Sequence, residues 1–228
     1  MKLNLLLLCA FVAGLALLSD VARADSISIQ NPSFEITNPL NQSCGVGCAF
    51  NGGAMPGWTG VGSLGSFQPS SVFFNLPLPD GNIVAYSNGG SISQTLGVSL
   101  DPNSMYTLSV FVGNRLDNRN TDYSISLLAG STTLCSFSAS NASITPGSFT
   151  DETCTFQSGS TLATGNLSIV LSATGVQGDF DNVSLTEVST VSTPEPSSLA
   201  LLATGFLCVG LLFARLNRKQ RLQQLRAS

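Results

Sequence analysis

The chain has no histidine, and only 10% of its 228 residues are charged. Without histidine there is no Ser-His-Asp or Cys-His nucleophile system and no histidine-containing zinc site. Basic charge is almost missing from the middle of the chain. Residues 25–196 contain no lysine and only two arginines, Arg115 and Arg119, against 12 aspartates and glutamates, a balance of −10. A surface of that sign cannot neutralise phosphates, which excludes nucleic acid as a partner. Helical periodicity is also lacking between residues 25 and 193, and the length leaves room for one medium domain plus sorting segments.

The two ends carry what the middle lacks. Lys2 precedes a nearly apolar run over residues 5–18, and Ala22-Arg23-Ala24 follows as a small-x-small cleavage pattern. Residues 1–24 therefore read as a signal peptide handed to the secretion translocon, with an uncleaved anchor as the alternative. Residues 197–214 are uncharged and rich in Leu, Ala, Gly and Phe. At about 1.5 Å per residue they reach about 27 Å, enough for one transmembrane helix rather than a buried core helix. Arg215, Arg218, Lys219, Arg221 and Arg226 follow, so residues 215–228 form a basic cytoplasmic tail and the domain faces outward. Residues 189–196 are a linker ending in Pro194-Glu195-Pro196. Pro-Glu-Pro, one apolar helix and a basic tail at the chain end resemble the PEP-CTERM sorting signal of Gram-negative bacteria. That resemblance implies export, membrane anchoring and processing by an exosortase near Pro194, Glu195 and Pro196. It also implies a place at the cell surface or in the exopolysaccharide and biofilm matrix.

Between these addresses apolar residues alternate with serine and threonine. Examples are Tyr106-Leu108-Val110-Val112, Ile125-Leu127 and Leu167-Ile169-Leu171, bounded by turns such as Asn88-Gly89-Gly90 and Asp101-Pro102-Asn103. Residues 25–188 are expected to be all-β, an antiparallel sandwich of about eight or nine strands. Four cysteines fall in it, an even number in an exported chain, and disulfides follow. Three pairings are possible; the glycine-rich Cys44-Gly-Val-Gly-Cys48 loop and the neighbouring strand-like runs of Cys135 and Cys154 favour Cys44–Cys48 with Cys135–Cys154. A four-cysteine zinc site is the rival, supported by only one close pair.

Gln30-Asn31-Pro32-Ser33-Phe34-Glu35, Met55-Pro56-Gly57-Trp58 and Gly178-Asp179-Phe180-Asp181-Asn182-Val183 occur in that order. The series resembles the galactose-binding-like jelly rolls used by many carbohydrate-binding modules. The resemblance implies that the first and last strands lie side by side, with a structural calcium held by Glu35, Asp181 and backbone carbonyls. Calcium takes six to eight oxygens; the plainer alternative is that both carboxylates accept backbone N–H bonds.

A sugar site needs a stackable aromatic flanked by polar groups. Trp58, Tyr86, Tyr123, Arg115 and Asn118 are the candidates, although a single tryptophan is often a core residue and the 115–122 loop could be solvated Arg–Asp pairs. No catalytic motif appears, so the domain is expected not to be an enzyme. The resulting expectation is an exported, non-catalytic carbohydrate-binding-like module of the polysaccharide matrix. The alternative is an acidic structural matrix protein with no specific ligand.

Overall fold

The computed structural model describes residues 24–189 except Asn118, and scattered helical positions between 205 and 224. The signal peptide, most of the apolar segment and the Pro-Glu-Pro motif lie outside the described residues. Among the described residues no helix is long and apolar enough to cross a membrane.

The ectodomain is all-β and antiparallel, as its alternation requires. Its strands are β1 (Ala24–Ser26), β2 (Gln42–Gly45), β3 (Cys48–Gly52), β4 (Thr59–Gln68), β5 (Val84–Ser99), β6 (Ser104–Asn114), β7 (Asp122–Ala129), β8 (Thr132–Ser140), β9 (Ser148–Gln157), β10 (Asn166–Ala173) and β11 (Gly178–Ser189). One ladder runs β2-β3-β4-β5-β10-β7-β8, and the other runs β1-β11-β6-β9. They join where Ala85–Ser87 of β5 pairs with Phe180–Gly178 of β11. First and last strands pair, Ala24 opposite Val188.

Period-two burial packs the two layers face to face. Ile125, Leu127, Leu167, Ile169 and Leu171 of one layer and Leu108, Val110, Val112, Phe180 and Leu185 of the other belong to one core cluster, each wholly buried. β11 changes parity midway. Phe180 faces the core, and strict alternation would then bury Asn182 and Ser184. Instead the pairing with β6 shifts between Asp181 and Ser184, and Asn182 takes φ +45°. This bulge turns Val183 and Leu185 into the core and leaves Asp179 and Asp181 on the opposite face from Phe180.

Both expected disulfides are present. Cys135–Cys154 joins β8 to β9, strands that share no ladder, so it ties the free edges of the two layers together. Cys44–Cys48 closes the β2–β3 turn. Gln94, the polar exception in an apolar strand, is buried because its amide accepts from Gln30 N and donates to Gln30 O, both at 2.8 Å.

Candidate functional site

A second apolar cluster lies away from the main core. It contains Phe67, Phe74, Val84 and Tyr86, with Phe50 and Phe73 packed against it. The β3-β4-β5 registers build it: Phe50 stands opposite Phe67, and Gly65 stands opposite Tyr86. Gly65 is required here, because a Cβ would run into Asn51 O and lie 2.9 Å from the Tyr86 ring. Above this surface is a cavity of about 340 Å³, lined by Phe50, Phe67, Phe73 and Tyr86 on its apolar side. Its polar side is Asn88, Arg115, Asp117, Arg119 and Gln177, and Cys44 completes the rim.

Arg115 organises the polar wall. Its guanidinium lies 4.4 Å from the Phe73 ring centre and 5.2 Å from that of Phe67. Nε and Nη2 donate to the two oxygens of Asp117 at 2.9 and 2.7 Å, and Nη1 donates to Gln177 Oε1 at 2.6 Å. Leu116 N donates to Phe73 O, pinning the arginine loop to the aromatic one. Burial alone would raise the Asp117 carboxyl, but hydrogen bonds and charge from Arg115 and Arg119 hold it below the ordinary aspartate value.

Gln177 passes the network inward, donating from Nε2 to Asp179 Oδ1 at 2.8 Å. Asp179 stands opposite Tyr86 and Gly113 in register, hence on the same face as the cavity-lining Tyr86. It is fully buried, and its Oδ2 has no hydrogen-bond partner among the described residues. Burial pushes this carboxyl up to about 7 despite the hydrogen bond from Gln177 and the Arg115 charge.

The structure distributes the other expected site residues differently. Tyr86 and Arg115 do meet at the cavity. Trp58 does not line it: the indole is 2% exposed, packs 5.2 Å from the Phe34 ring and donates Nε1–H to Asn31 O at 3.0 Å. Its N–H partner lies in the core, so Trp58 is the core residue that a single tryptophan more often is, and not the stacking platform it was also a candidate for. Tyr123 is likewise buried and donates to Glu152 Oε1 at 2.6 Å, away from the cavity lining. Asn118 lies outside the described residues. Arg115 is 6% exposed, so this end of the loop is not a solvated ion pair.

Glu35 and Asp181 come together near Asp80. Glu35 Oε1 accepts from Asn82 N and Ile83 N at 2.8 and 2.7 Å, and Gly81 leaves the space that the Glu35 carboxylate occupies. Asp181 accepts from Asp80 N and Asn182 N. Burial, with added repulsion from Asp80 and Glu35, raises Asp181 to about 7 even against those hydrogen bonds. Among the described residues no three Asp, Glu, His or Cys side chains are grouped to hold a metal. An ion at Glu35 and Asp181 would therefore depend on main-chain oxygens.

Comparison with known proteins places this geometry in a family. The family model described as HpiC1 cyclase matches residues 25–186, the whole sandwich. The chain belongs to the HpiC1-like cyclase family. The PEP-CTERM protein-sorting motif matches residues 192–219, so this family member is an exported, envelope-associated protein with an exosortase-processing signal. A cyclase from Fischerella sp. in its apo form is 26% identical, with a TM-score of 0.61 over 74% of this chain and 98% of that one. A Fischerella sp. TAU cyclase in complex with 4-(1H-indol-3-yl)butan-2-one is 27% identical, with a TM-score of 0.60 over 74% of this chain and 100% of that one. The CBM22-1 xylan-binding domain of Paenibacillus barcinonensis Xyn10C is more remote, at 13% identity and a TM-score of 0.48 over 75% of this chain and 99% of that one. None of the curated proteins matches the chain.

Sequence reasoning missed Gln177, Asn88 and the phenylalanines of the cavity. Only Asp179 carried a signal, since two acids flanking Phe180 on a strand must share the face that Phe180 does not use.

Proposed function

We propose that this protein is an exported member of the cyclase family that binds a small ring-shaped ligand in the Arg115 cavity. The observation that carries this reading is the cavity itself: four aromatic side chains on one side and a few fixed polar groups on the other. Binding sites for small molecules combine a mostly apolar lining with a few placed polar groups in just this way. Its volume of about 340 Å³ suits one or two rings. The ligand reaches the site outside the cytoplasm, where the ring of a matrix polysaccharide is one source and a free aromatic compound of the kind bound by the Fischerella cyclase is another. Recognition without turnover is the first reading, in keeping with the missing catalytic motifs.

Catalysis in the same cavity is the second reading, favoured by family membership and by Asp179. A buried carboxyl raised to about 7 and held by the Gln177 amide behind the polar wall is the acid this reading would use. A structural calcium at Glu35 and Asp181 also belongs to this proposal, since the Asp80 and Glu35 charges that raise the Asp181 carboxyl would be offset by a cation, with main-chain oxygens completing its ligands. It would brace β11 and the 80–83 turn and take no part in binding.

The test is binding of a glycan array and an indole panel to the full chain in detergent. Tyr86→Ala should abolish binding, whereas Trp58→Phe should leave it unchanged in a folded protein. Blank results on both panels would leave the structural-matrix alternative standing.

A further inference from the structure

The two arginines of an otherwise acidic ectodomain both line one cavity. They do not play the same part there. Arg115 is spent: Asp117 takes it bidentately, Gln177 takes a third N–H, and two phenylalanine rings cover its face. Arg119 reaches the same Asp117 oxygen through Nε alone, at 3.3 Å. Its side chain is 47% exposed, and its two terminal nitrogens have no partner among the described residues. One carboxylate thus serves two guanidinium groups, leaving part of the Arg119 charge unmatched in the lining. Residues 25–196 carry a balance of −10, so among the described residues of the sandwich this charge is the feature suited to select an anion.

Another residue of the lining has the opposite need. Asn88 lines the cavity, and its side-chain oxygen is buried without a hydrogen-bond partner. A buried acceptor left unpaired costs free energy that a ligand N–H or O–H would recover. Phe50, Phe67 and Tyr86 line the same cavity and supply its apolar surface.

We infer that the cavity selects a ring ligand bearing a carboxylate, which Arg119 takes through its terminal nitrogens, with an N–H or O–H of the ligand reaching Asn88 Oδ1. This inference rests on the ring-binding role proposed above and names the ligand chemistry. Two sources carry it: a uronic acid of a polysaccharide and an aromatic carboxylic acid. Arg119 is the specificity residue; Arg115 positions Asp117, and through it Arg119.

The test uses the full-length protein in detergent and isothermal titration with four probes: galacturonate, its neutral methyl ester, indole-3-acetate and neutral indole-3-acetamide. Within whichever ring class binds, the carboxylate should bind about tenfold more tightly than its neutral partner, as a charge-assisted contact requires. Raising salt from 50 to 500 mM should weaken only the carboxylate, because Arg119 is half exposed. Arg119→Gln should remove the preference by weakening the carboxylate probe to the level of its neutral partner, at an unchanged melting temperature, and Arg119→Lys should restore part of it. Preference confined to one ring class identifies the source. Equal binding of acid and neutral probes, or a preference that survives Arg119→Gln, overturns the inference while the ring-binding role stands. Failure of all four probes to bind overturns both.

Discussion

Replacing Asp179 with asparagine gives the sharpest reading of the buried network. The carboxyl rises from an ordinary 3.8 to about 7, first because it is wholly buried. Between about pH 4 and pH 7 the folded chain therefore holds a proton that the unfolded chain has released. Stability is the integral of that proton difference, so this group makes the fold lose stability as pH rises through the window and adds nothing further above it. Each unit corresponds to about 1.4 kcal/mol, and the part between pH 5 and 7 to about 3 kcal/mol. Asparagine cannot ionise and removes this slope. It adds a cost that does not vary with pH, about 1–3 kcal/mol, because its amide N–H₂ falls where Oδ2 had no partner. The two curves should therefore converge or cross: the variant less stable at pH 5, and equal or more stable at pH 8. Urea unfolding at half-unit pH steps, in chelator so that no ion at Asp181 contributes, measures both. Curves that stay parallel within about 0.5 kcal/mol from pH 5 to 8 would refute the argument that burial holds a proton on Asp179.

Removing the Cys135–Cys154 bridge by a double serine variant should cost about 3 kcal/mol, the chain-entropy value for a separation of 19 residues, and urea midpoints would show it. A loss of under about 1 kcal/mol would mean that the layer edges are held by packing rather than by the bridge. If an ion sits at Glu35 and Asp181, saturating calcium should raise the melting temperature at pH 7. Because binding favours the deprotonated form, the gain should shrink as pH falls below about 7, where Asp181 takes up its proton. Asp181→Asn should abolish the gain, and a melting temperature unmoved by chelator sinks the ion.

Strand faces were legible in the sequence because period-two alternation is a local property, and Ile125, Leu127, Leu167, Ile169 and Leu171 are buried as it demands. Both cysteine pairs were legible for a related reason. Of three possible pairings, the tight glycine-rich loop favoured Cys44–Cys48 and the neighbouring strand-like runs favoured a cross-strand Cys135–Cys154 bridge. What bridges what was not legible: Cys135–Cys154 does not cross a hydrogen-bonded ladder but the gap between two layers, a fact of topology. Trp58 shows the limit from the other side. Its Pro-Gly neighbours suit an exposed loop, yet the indole N–H needs an acceptor, and Asn31 at φ +50° supplies its carbonyl inside the core. That acceptor lies 27 residues away, beyond any local pattern.

The cavity was half legible for the same reason. The loop holding both arginines stood out by composition, and reading it as solvated was the natural inference for charges separated by two residues. Only the aromatic loop that folds against it, through Leu116 N to Phe73 O, removes Arg115 from water. Once Arg115 is buried, its charge must be met, and Asp117 meets it bidentately. That engagement leaves Arg119 with only a share of one carboxylate oxygen. The exposed positive charge in the cavity lining is thus a consequence of the packing around Arg115. A substitution that loosens this packing, such as Phe73→Ala, should therefore weaken carboxylate selection at Arg119 without touching that residue. Asp117, held less firmly by Arg115, would then turn to Arg119 and neutralise it, and titration of acid and neutral probes against this variant would measure the loss.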